Sequence, residues 1–414
     1  MGLSTGEALT ETSQERPPSD AGTPPVPTPT DPGHRRGWLL ALLVALVVGG
    51  TMWALSVPDG GEEEPVDPTA PAAPDIPRPA DGAGDETPAV ATLGFHPLHP
   101  ANDGIDLFVE MESQLDRDIG FMVQFGDGRS VDAFLNNLHG QLSDRQLGRY
   151  DGSPPFRLSY SVPLAFGERH DGSRRAVRSI REQFDAIIED TDDRRQLYQE
   201  TAETLAGAGY GDAIIRLGWE FDNPSSRWYA GADPKRFKEA WRVVHGIFRE
   251  VSPDFQFDYN ATRGGALNPL FEEAYPGDEY VDVVGLDVYD AGYEGPGGVI
   301  AGEDVGWGDP ETVWEEHHLP ALEAHRDFAE QHGKAVSFPE WGLSGGGRDK
   351  DGKAGGDNPV FIENMYLWFN EVGADAGPGL VYHSYFQFDE GPSGPHSIAS
   401  FPTSERTFTA LFGR

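Results

Sequence analysis

Short apolar runs alternate with longer amphipathic stretches from about residue 91 to the C-terminus. Short apolar runs bounded by turn residues are typical of buried strands, and longer stretches with apolar residues at helical spacing are typical of helices. The pattern predicts eight strands, at 92–95, 119–125, 157–162, 213–218, 255–260, 281–286, 335–338 and 379–386. It predicts helices that include 177–206, 234–251, 310–332, 359–372 and 403–412. Eight strand–helix units in roughly 320 residues favour a closed (β/α)8 barrel of the TIM type over an open doubly wound sheet.

Two of the predicted helices begin with a capping residue followed by proline. Asp233 precedes Pro234, and Asn358 precedes Pro359. An Asp or Asn side chain accepts hydrogen bonds from the free backbone N–H groups of a helix start, and proline fits the first helical position. No glycine-rich phosphate loop follows the first predicted strand, which removes the main support for a nucleotide-binding sheet.

The first 90 residues lie outside the strand–helix alternation. Residues 1–37 are rich in Pro, Thr, Ser and Gly, and they are predicted to form a disordered cytoplasmic tail. Residues 38–57 form an uncharged run that is long enough to cross about 30 Å of hydrocarbon. Arg35 and Arg36 precede this run and three glutamates follow it at 62–64. The positive-inside rule therefore predicts a single-pass transmembrane anchor with the C-terminal part outside the cytoplasm.

A cleaved signal sequence is the alternative interpretation of residues 38–57, and it predicts a secreted protein. Residues 58–90 are rich in Pro, Ala and Asp, so they are predicted to form an extended, disordered linker. The predicted organisation is an α/β (β/α)8 barrel at 91–414, preceded by a disordered tail, one transmembrane helix and a linker.

The charge of the chain excludes several kinds of partner and site. The 414 residues include 69 acidic and 31 basic side chains, which give a net charge of −38. Such a charge repels phosphate, so nucleic acid is not an expected partner, and it favours a monomer in solution. The absence of cysteine excludes disulfides and thiolate chemistry. The segment at 349–352 lacks the third acidic ligand and the distal glutamate of a calcium loop, and neither a metal nor another cofactor is predicted.

Two glutamates lie at the ends of two predicted strands. Glu220 ends the run AIIRLGWE, and Glu340 lies within KAVSFPEWG. Barrel enzymes carry their catalytic groups at the C-terminal ends of the strands. Two carboxyl groups held at such positions are the minimum equipment for cleavage of a glycosidic bond. The pair therefore predicts a glycoside hydrolase.

Other polar and aromatic residues near the predicted strand ends are candidates for contact with a sugar. Arg216 lies inside the fourth strand, where it needs an anionic partner such as Asp287. Tyr289 ends the sixth strand, where its hydroxyl can hold a carboxylate in the ionised form. A structural role is the alternative for each of these residues. The candidate substrate-binding residues are Arg216, Trp219, Trp228, Asn260, Asp287, Trp341, Tyr385, His96 and Trp307.

Five motifs together resemble glycoside hydrolase family 26, a clan A barrel family best known for β-mannanases. They are IRLGWEFDN (215–223), FKEAWR (237–242), YPGDEYVDVVGLDVYD (275–290), FPEWG (338–342) and GGDNPVFIENMYLWF (355–369). The resemblance covers about residues 92–414, with the motifs in the family's order.

The resemblance implies a retaining, two-glutamate mechanism without a cofactor. Glu220 would be the acid/base, Glu340 the nucleophile, and Tyr289 the residue that orients the nucleophile. The chain departs from the mannanase pattern at Trp219, where the family's mannanases carry a histidine, and this places mannan specificity in question. The implied substrate is a β-linked polysaccharide, either mannan-like or an exopolysaccharide. A non-catalytic glycan-binding protein at the cell surface and a transglycosylase are the alternatives.

Overall fold

A computed structural model of the chain contains a closed barrel of eight parallel strands. It describes residues 87–97, 104–143, 147, 156–167, 179–191, 193–291, 310–345, 355–374, 377–388 and 395–413. Each strand pairs with the next along the chain, and the eighth pairs with the first. The predicted barrel is therefore confirmed. The strands are β1 Leu93–Pro97, β2 Phe121–Phe125, β3 Arg157–Val162, β4 Ile214–Leu217, β5 Gln256–Thr262, β6 Val283–Asp290, β7 Ala335–Leu343 and β8 Leu380–Gln387.

Helices surround the barrel, and the predicted capping residues begin two of them. Asp233 accepts a hydrogen bond from the backbone N–H of Arg236, and Asn358 accepts one from Phe361. A five-residue π-helix, Trp314–His318, interrupts the predicted helix 310–332. The α-helices are α1 Pro88–Ala91, α2 Gly104–Leu115, α3 Val131–Gln141, α4 Ile180–Ile188, α5 Arg194–Gly207, α6 Pro234–Val251, α7 Leu270–Glu273, α8 Pro310–Val313, α9 Leu319–His332, α10 Pro359–Gly373 and α11 Pro402–Phe412.

The single helix predicted at 177–206 is wrong, because two helices occupy this segment. Asp190 and Asp193 both adopt a φ of 56° between α4 and α5. This left-handed backbone stops a right-handed helix, and Asp tolerates it better than most residues do. Ser179 and Glu182 form a capping box that begins α4.

The folded domain begins before the predicted boundary at residue 91. Helix α1 precedes β1, and Ala89 is fully buried in it. The Ala89 N–H donates to Asn370 Oδ1 over 3.0 Å, and the Ala89 carbonyl contacts His383 Nε2 at 2.6 Å. The end of the predicted linker is therefore part of the barrel, at the end where the strands begin.

Strand alternation divides side chains between the inside of the barrel and the layer beneath the helices. Phe95, Trp341 and Tyr385 are fully buried and pack against Phe408 of α11. The inside of the barrel is partly polar, as expected where a fold must present chemistry at its strand ends. Its buried polar side chains include Ser159, Ser161, Arg216, Asp258, Asn260, Asp287, Ser337 and Ser384.

None of the helices among the described residues is both long enough and apolar enough to cross a membrane. The predicted anchor at 38–57 lies outside the described residues.

Candidate active site

Arg216 holds together several of the predicted site residues at the C-terminal end of the barrel. Its side chain is fully buried on β4. One amino group, Nη2, donates to Glu340 Oε1 at 2.6 Å, to Asp287 Oδ2 at 2.9 Å and to Asn260 Oδ1 at 2.8 Å. Burial opposes the charged form of Arg216, but Asp287 and Glu340 raise its pKa above the usual range. The guanidinium on β4 is thus a permanent cation, and its partners lie on β5, β6 and β7.

Both carboxylate oxygens of Glu340 accept hydrogen bonds. Oε1 accepts from Arg216, and Oε2 accepts from the Tyr289 hydroxyl over 2.8 Å. Burial and the negative charge of Glu340 raise the pKa of Tyr289 well above its usual value, so the hydroxyl remains a donor. Two donors to a carboxylate favour its ionised form. Arg216 and Tyr289 therefore fix both oxygens of the Glu340 carboxyl group in position.

An irregularity in β7 turns Glu340 into the barrel. Ser337 faces the inside, where its hydroxyl donates to Asp258. Strict alternation would then place residue 339 inside and residue 340 outside. The pairing of β7 with β8 shifts register between Phe338 and Trp341, which reverses the alternation at this point. The shift places Glu340 on the inner face and Trp341 on the outer one.

Glu220 has an environment opposite to that of Glu340. It follows β4 in a turn, is partly buried, and accepts one hydrogen bond, from Asn223 Nδ2 at 3.2 Å. Burial and then the negative charge of Glu340 raise its pKa to about 8. Glu220 therefore carries a proton at neutral pH, as a general acid must.

Four partly exposed aromatic rings line the site beside these carboxyl groups. They form an arc in which Trp219 contacts Phe125, Phe125 contacts Phe386, and Phe386 contacts Tyr289, with centroid separations of 5.6, 6.3 and 5.6 Å. Phe125 also lies 5.1 Å from the guanidinium carbon of Arg216. Asn260 and Asp287 contact the same guanidinium through its Nη2. The site thus combines aromatic rings with a polar cluster around Arg216.

Sequence reasoning missed Phe125 and Phe386. Both are the last or next-to-last residues of their strands and face inward. Period-two alternation along β8 could have found Phe386, because Tyr382 and Ser384 face the same side. Phe125 is the last residue of β2, and a position at the C-terminal end of a strand is the sequence signal that could have identified it as a site residue.

His96 lies behind the aromatic arc. Its ring is fully buried, stacks on Phe386 at 4.9 Å, and contacts the Val123 carbonyl through Nδ1 at 2.7 Å. Burial lowers its pKa to about 4, so the imidazole is neutral at physiological pH. Its Nε2 has no hydrogen-bond partner among the described residues.

The structure corrects two of the predicted substrate-binding residues. Trp341 and Tyr385 are fully buried beneath the helices. The Trp341 indole N–H donates to His383, and the Tyr385 hydroxyl donates to the His396 carbonyl. Both side chains point away from the site because alternation turns them outward.

Of the two other predicted tryptophans, the structure describes Trp228 but not Trp307. Trp228 is only 6% exposed, and its indole N–H donates to the Trp219 carbonyl over 2.6 Å. Its ring packs against Trp219 at a centroid separation of 4.3 Å and a tilt of 49°, so Trp228 supports that ring from within the core. Trp307 lies outside the described residues. In the described part of the chain, no group of three or more His, Asp or Glu side chains is arranged to hold a metal ion.

The parallel barrel brings two carboxyl groups together at its C-terminal end, Glu340 held by two hydrogen-bond donors and Glu220 with a raised pKa. In a family comparison, the model of glycosyl hydrolase family 26 matches residues 209–299. A mannan endo-1,4-beta-mannosidase of Bifidobacterium adolescentis is 27% identical over 149 residues. That match covers 35% of this chain and 14% of the relative, so the chain spans a small part of that protein.

Solved structures share the fold at low sequence identity. A modular endo-beta-1,4-mannanase from Cellulomonas fimi is 15% identical, with a TM-score of 0.51, over 79% of this chain and 72% of that one. GH26C from Muricauda sp. MAR_2010_75 is 14% identical, with a TM-score of 0.50, over 77% of this chain and 84% of that one. The comparisons confirm the predicted resemblance to glycoside hydrolase family 26 in sequence, and the solved structures share the barrel fold.

Proposed function

We propose that this protein is a retaining glycoside hydrolase that cleaves β-linked polysaccharide, mannan-like or exopolysaccharide, through Glu340 and Glu220. The observation that carries the proposal is the contrast between the two carboxyl groups. Glu340 accepts hydrogen bonds from Arg216 and Tyr289, whereas burial and the nearby charge keep Glu220 protonated. A carboxylate held by two donors beside a carboxyl group with a raised pKa is typical of a nucleophile and a general acid.

In the first step, the Glu340 carboxylate attacks the anomeric carbon of the sugar. The bond from that carbon to the leaving oxygen breaks, and the proton of Glu220 passes to the leaving oxygen. Arg216 stays bonded to Asp287, which offsets part of its attraction for Glu340 as the carboxylate charge is consumed. The product of this step is a glycosyl ester of Glu340.

In the second step, water replaces the enzyme at the anomeric carbon. Glu220, now ionised, takes a proton from the water while the ester bond to Glu340 breaks. Glu340 returns to its carboxylate form and Glu220 to its acid form. Two displacements at one carbon leave the anomeric configuration unchanged.

The aromatic rings and the polar cluster of the site favour a neutral pyranose as substrate. The rings of Phe125, Trp219 and Phe386 offer apolar faces to the C–H face of a sugar. Asn260 and Asp287 offer polar atoms for its hydroxyl groups, whereas His96 is fully buried behind the rings. Trp219 precedes the acid and recognises a sugar by stacking, so it discriminates weakly between manno and gluco configurations.

A polysaccharide panel tests this function. The purified full-length protein in mild detergent is incubated with mannan, glucomannan, β-1,3-glucan, mixed-linkage glucan, xylan and bacterial exopolysaccharides. Release of oligosaccharides is followed by mass spectrometry, and product configuration by NMR. We expect cleavage of at least one β-linked chain with retained configuration, and activity on glucose-containing as well as mannose-containing chains.

Two outcomes would contradict the proposal. Products of inverted configuration would mean that Glu340 acts as a general base and not as the nucleophile. Binding of a polysaccharide without release of product from any member of the panel would favour a glycan-binding protein at the cell surface.

We further propose that residues 38–57 anchor the protein in a membrane with the barrel outside the cytoplasm. The uncharged run and the arginines before it support this orientation. In cells that express the full chain, we expect the protein to remain in the membrane fraction after an alkaline wash, and the barrel to be accessible to external protease. A protein released into the medium without its first 57 residues would instead identify a cleaved signal sequence.

A further inference from the structure

The turn that carries Glu220 has an unfavourable backbone. Gly218 adopts a φ of 56° and Glu220 a φ of 47°. Glycine accepts left-handed geometry at no steric cost, whereas a glutamate in this region is strained. Residues held in this way persist only where neighbouring contacts fix them. The position of the acid therefore depends on contacts made by the residues around it.

Asp222 supplies such a contact, two residues after the acid. Its side chain is nearly buried, at 9% exposure. Its Oδ1 accepts the backbone N–H of Thr262 over 2.8 Å, and its Oδ2 accepts the Thr262 hydroxyl. Thr262 is the last residue of β5, two residues after Asn260. Both oxygens of one carboxylate thus join the turn after β4 to the end of β5.

The chain has a glycine where this carboxylate needs room. A Cβ atom on Gly265 would lie 2.4 Å from Asp222 Oδ2, which is closer than non-bonded atoms approach. The Gly265 N–H also donates to the Thr262 hydroxyl oxygen over 3.2 Å. Thr262 at the end of β5 and Gly265 in the following loop are therefore fitted around the Asp222 carboxylate.

The charge of Asp222 acts on Glu220 as well. Burial contributes most to the raised pKa of Glu220, followed by the negative charges of Glu340 and then Asp222. The hydrogen bond from Asn223 and the charge of Arg216 oppose them. Burial raises the pKa of Asp222 itself, while the two bonds from Thr262 favour its charged form.

We propose that Asp222 is a positioning residue for the reaction: both oxygens of its carboxylate fix the Glu220 turn on β5, and it places a negative charge two residues from the acid. The inference rests on the proposed role of Glu220 as the acid. Asp222 contacts neither Glu220 nor the groups that surround Arg216 through any described hydrogen bond, so it acts through the turn and through its charge.

Two substitutions separate the charge of Asp222 from its hydrogen bonds. Asp222→Asn keeps the acceptor for the Thr262 N–H but removes the charge, whereas Thr262→Val keeps the charge but removes one donor. The ionisation of Glu220 is read from the fluorescence of the neighbouring Trp219 between pH 5 and 10, and the signal is assigned by its loss in Glu220→Gln. This reading needs no substrate.

We expect Asp222→Asn to lower the midpoint of this titration, and the alkaline limb of kcat/KM, by about half a pH unit. Thr262→Val is expected to leave the midpoint unchanged and to reduce kcat by about tenfold with little change in KM, because the turn is less well fixed. Thr262→Ser restores the hydroxyl and is expected to restore kcat.

An unchanged midpoint in folded Asp222→Asn would overturn the inference. If Asp222→Asn does not fold, Thr262→Val decides: wild-type kcat in that variant would also overturn it. A wild-type protein that shows the fluorescence titration but cleaves no polysaccharide would instead defeat the proposed function alone.

Discussion

Replacement of Glu340 with alanine is expected to lower kcat on the polysaccharide substrate by about 10⁴-fold or more, because no other group can form the covalent intermediate. Glu340 is the carboxylate that both Arg216 and Tyr289 fix in the site. Water in its place would lack both the nucleophilicity and the fixed position. The measurement is the initial rate of product release at saturating substrate.

Chemical rescue distinguishes the loss of a nucleophile from a loss of structure. Azide is small enough to occupy the space of the missing carboxylate and attacks the anomeric carbon from the same side. In Glu340→Ala it should restore cleavage of an activated aryl β-glycoside and give a glycosyl azide of inverted configuration, since only one displacement occurs. The aryl glycoside carries the sugar that the polysaccharide panel identifies.

The control for this variant is a measurement of its melting temperature, which shows whether it folds. Removal of Glu340 leaves Asp287 as the remaining anionic partner of Arg216, so we expect a lower melting temperature but a folded protein. Glu340→Gln keeps an acceptor for Arg216 and should be more stable than Glu340→Ala while equally inactive. Activity close to that of the wild type in either folded variant would eliminate Glu340 as the nucleophile.

The sequence predicted the barrel and its central carboxylates because both follow from rules with few exceptions. Parallel strands that alternate with helices place their C-terminal ends at one rim, so Arg216, Asp287, Tyr289 and Glu340 had to come close together. In the structure, hydrogen bonds join these four residues. Helix starts were equally readable, since capping by Asp233 is a local interaction.

The errors arose where tertiary geometry overrides local pattern. Glu340 and Trp341 are neighbours in sequence, yet one lies in the site and the other beneath the helices. Strand alternation separates them, but which of the two faces inward depends on the register shift in β7, which leaves no sequence signature. Phe125 was missed for a related reason, because its contact with Arg216 joins residues 91 positions apart (216 − 125).

Replacement of Glu220 with alanine is expected to lower the hydrolysis of polysaccharide by about 10²–10⁴-fold, because the leaving oxygen no longer receives a proton. A dinitrophenyl glycoside needs no such proton, so its first step should proceed at close to the wild-type rate. The second step lacks its base, so we expect a burst of dinitrophenol followed by a slow steady state. Azide should release a product of retained configuration, in contrast to Glu340→Ala.

The pH dependence of the wild type follows from the same group. With its pKa raised to about 8, Glu220 is in its acid form at neutral pH, and kcat/KM should fall as the pH rises through about 8. This alkaline limb should disappear for the dinitrophenyl substrate when the first step is measured. Persistence of the limb with that substrate would assign it to another group.

The raised pKa of Glu220 also predicts how the stability of the folded protein depends on pH. A carboxyl group whose folded pKa exceeds its unfolded value of 4.5 stabilises the fold fully below that value, and the contribution is lost as pH rises through about 8. Glutamine at position 220 is neutral at every pH and avoids this loss. The melting temperature of Glu220→Gln minus that of the wild type should therefore be larger at pH 8.5 than at pH 5. A difference that is constant across this range would mean that Glu220 ionises without cost, and it would remove the electrostatic basis for its role as the acid.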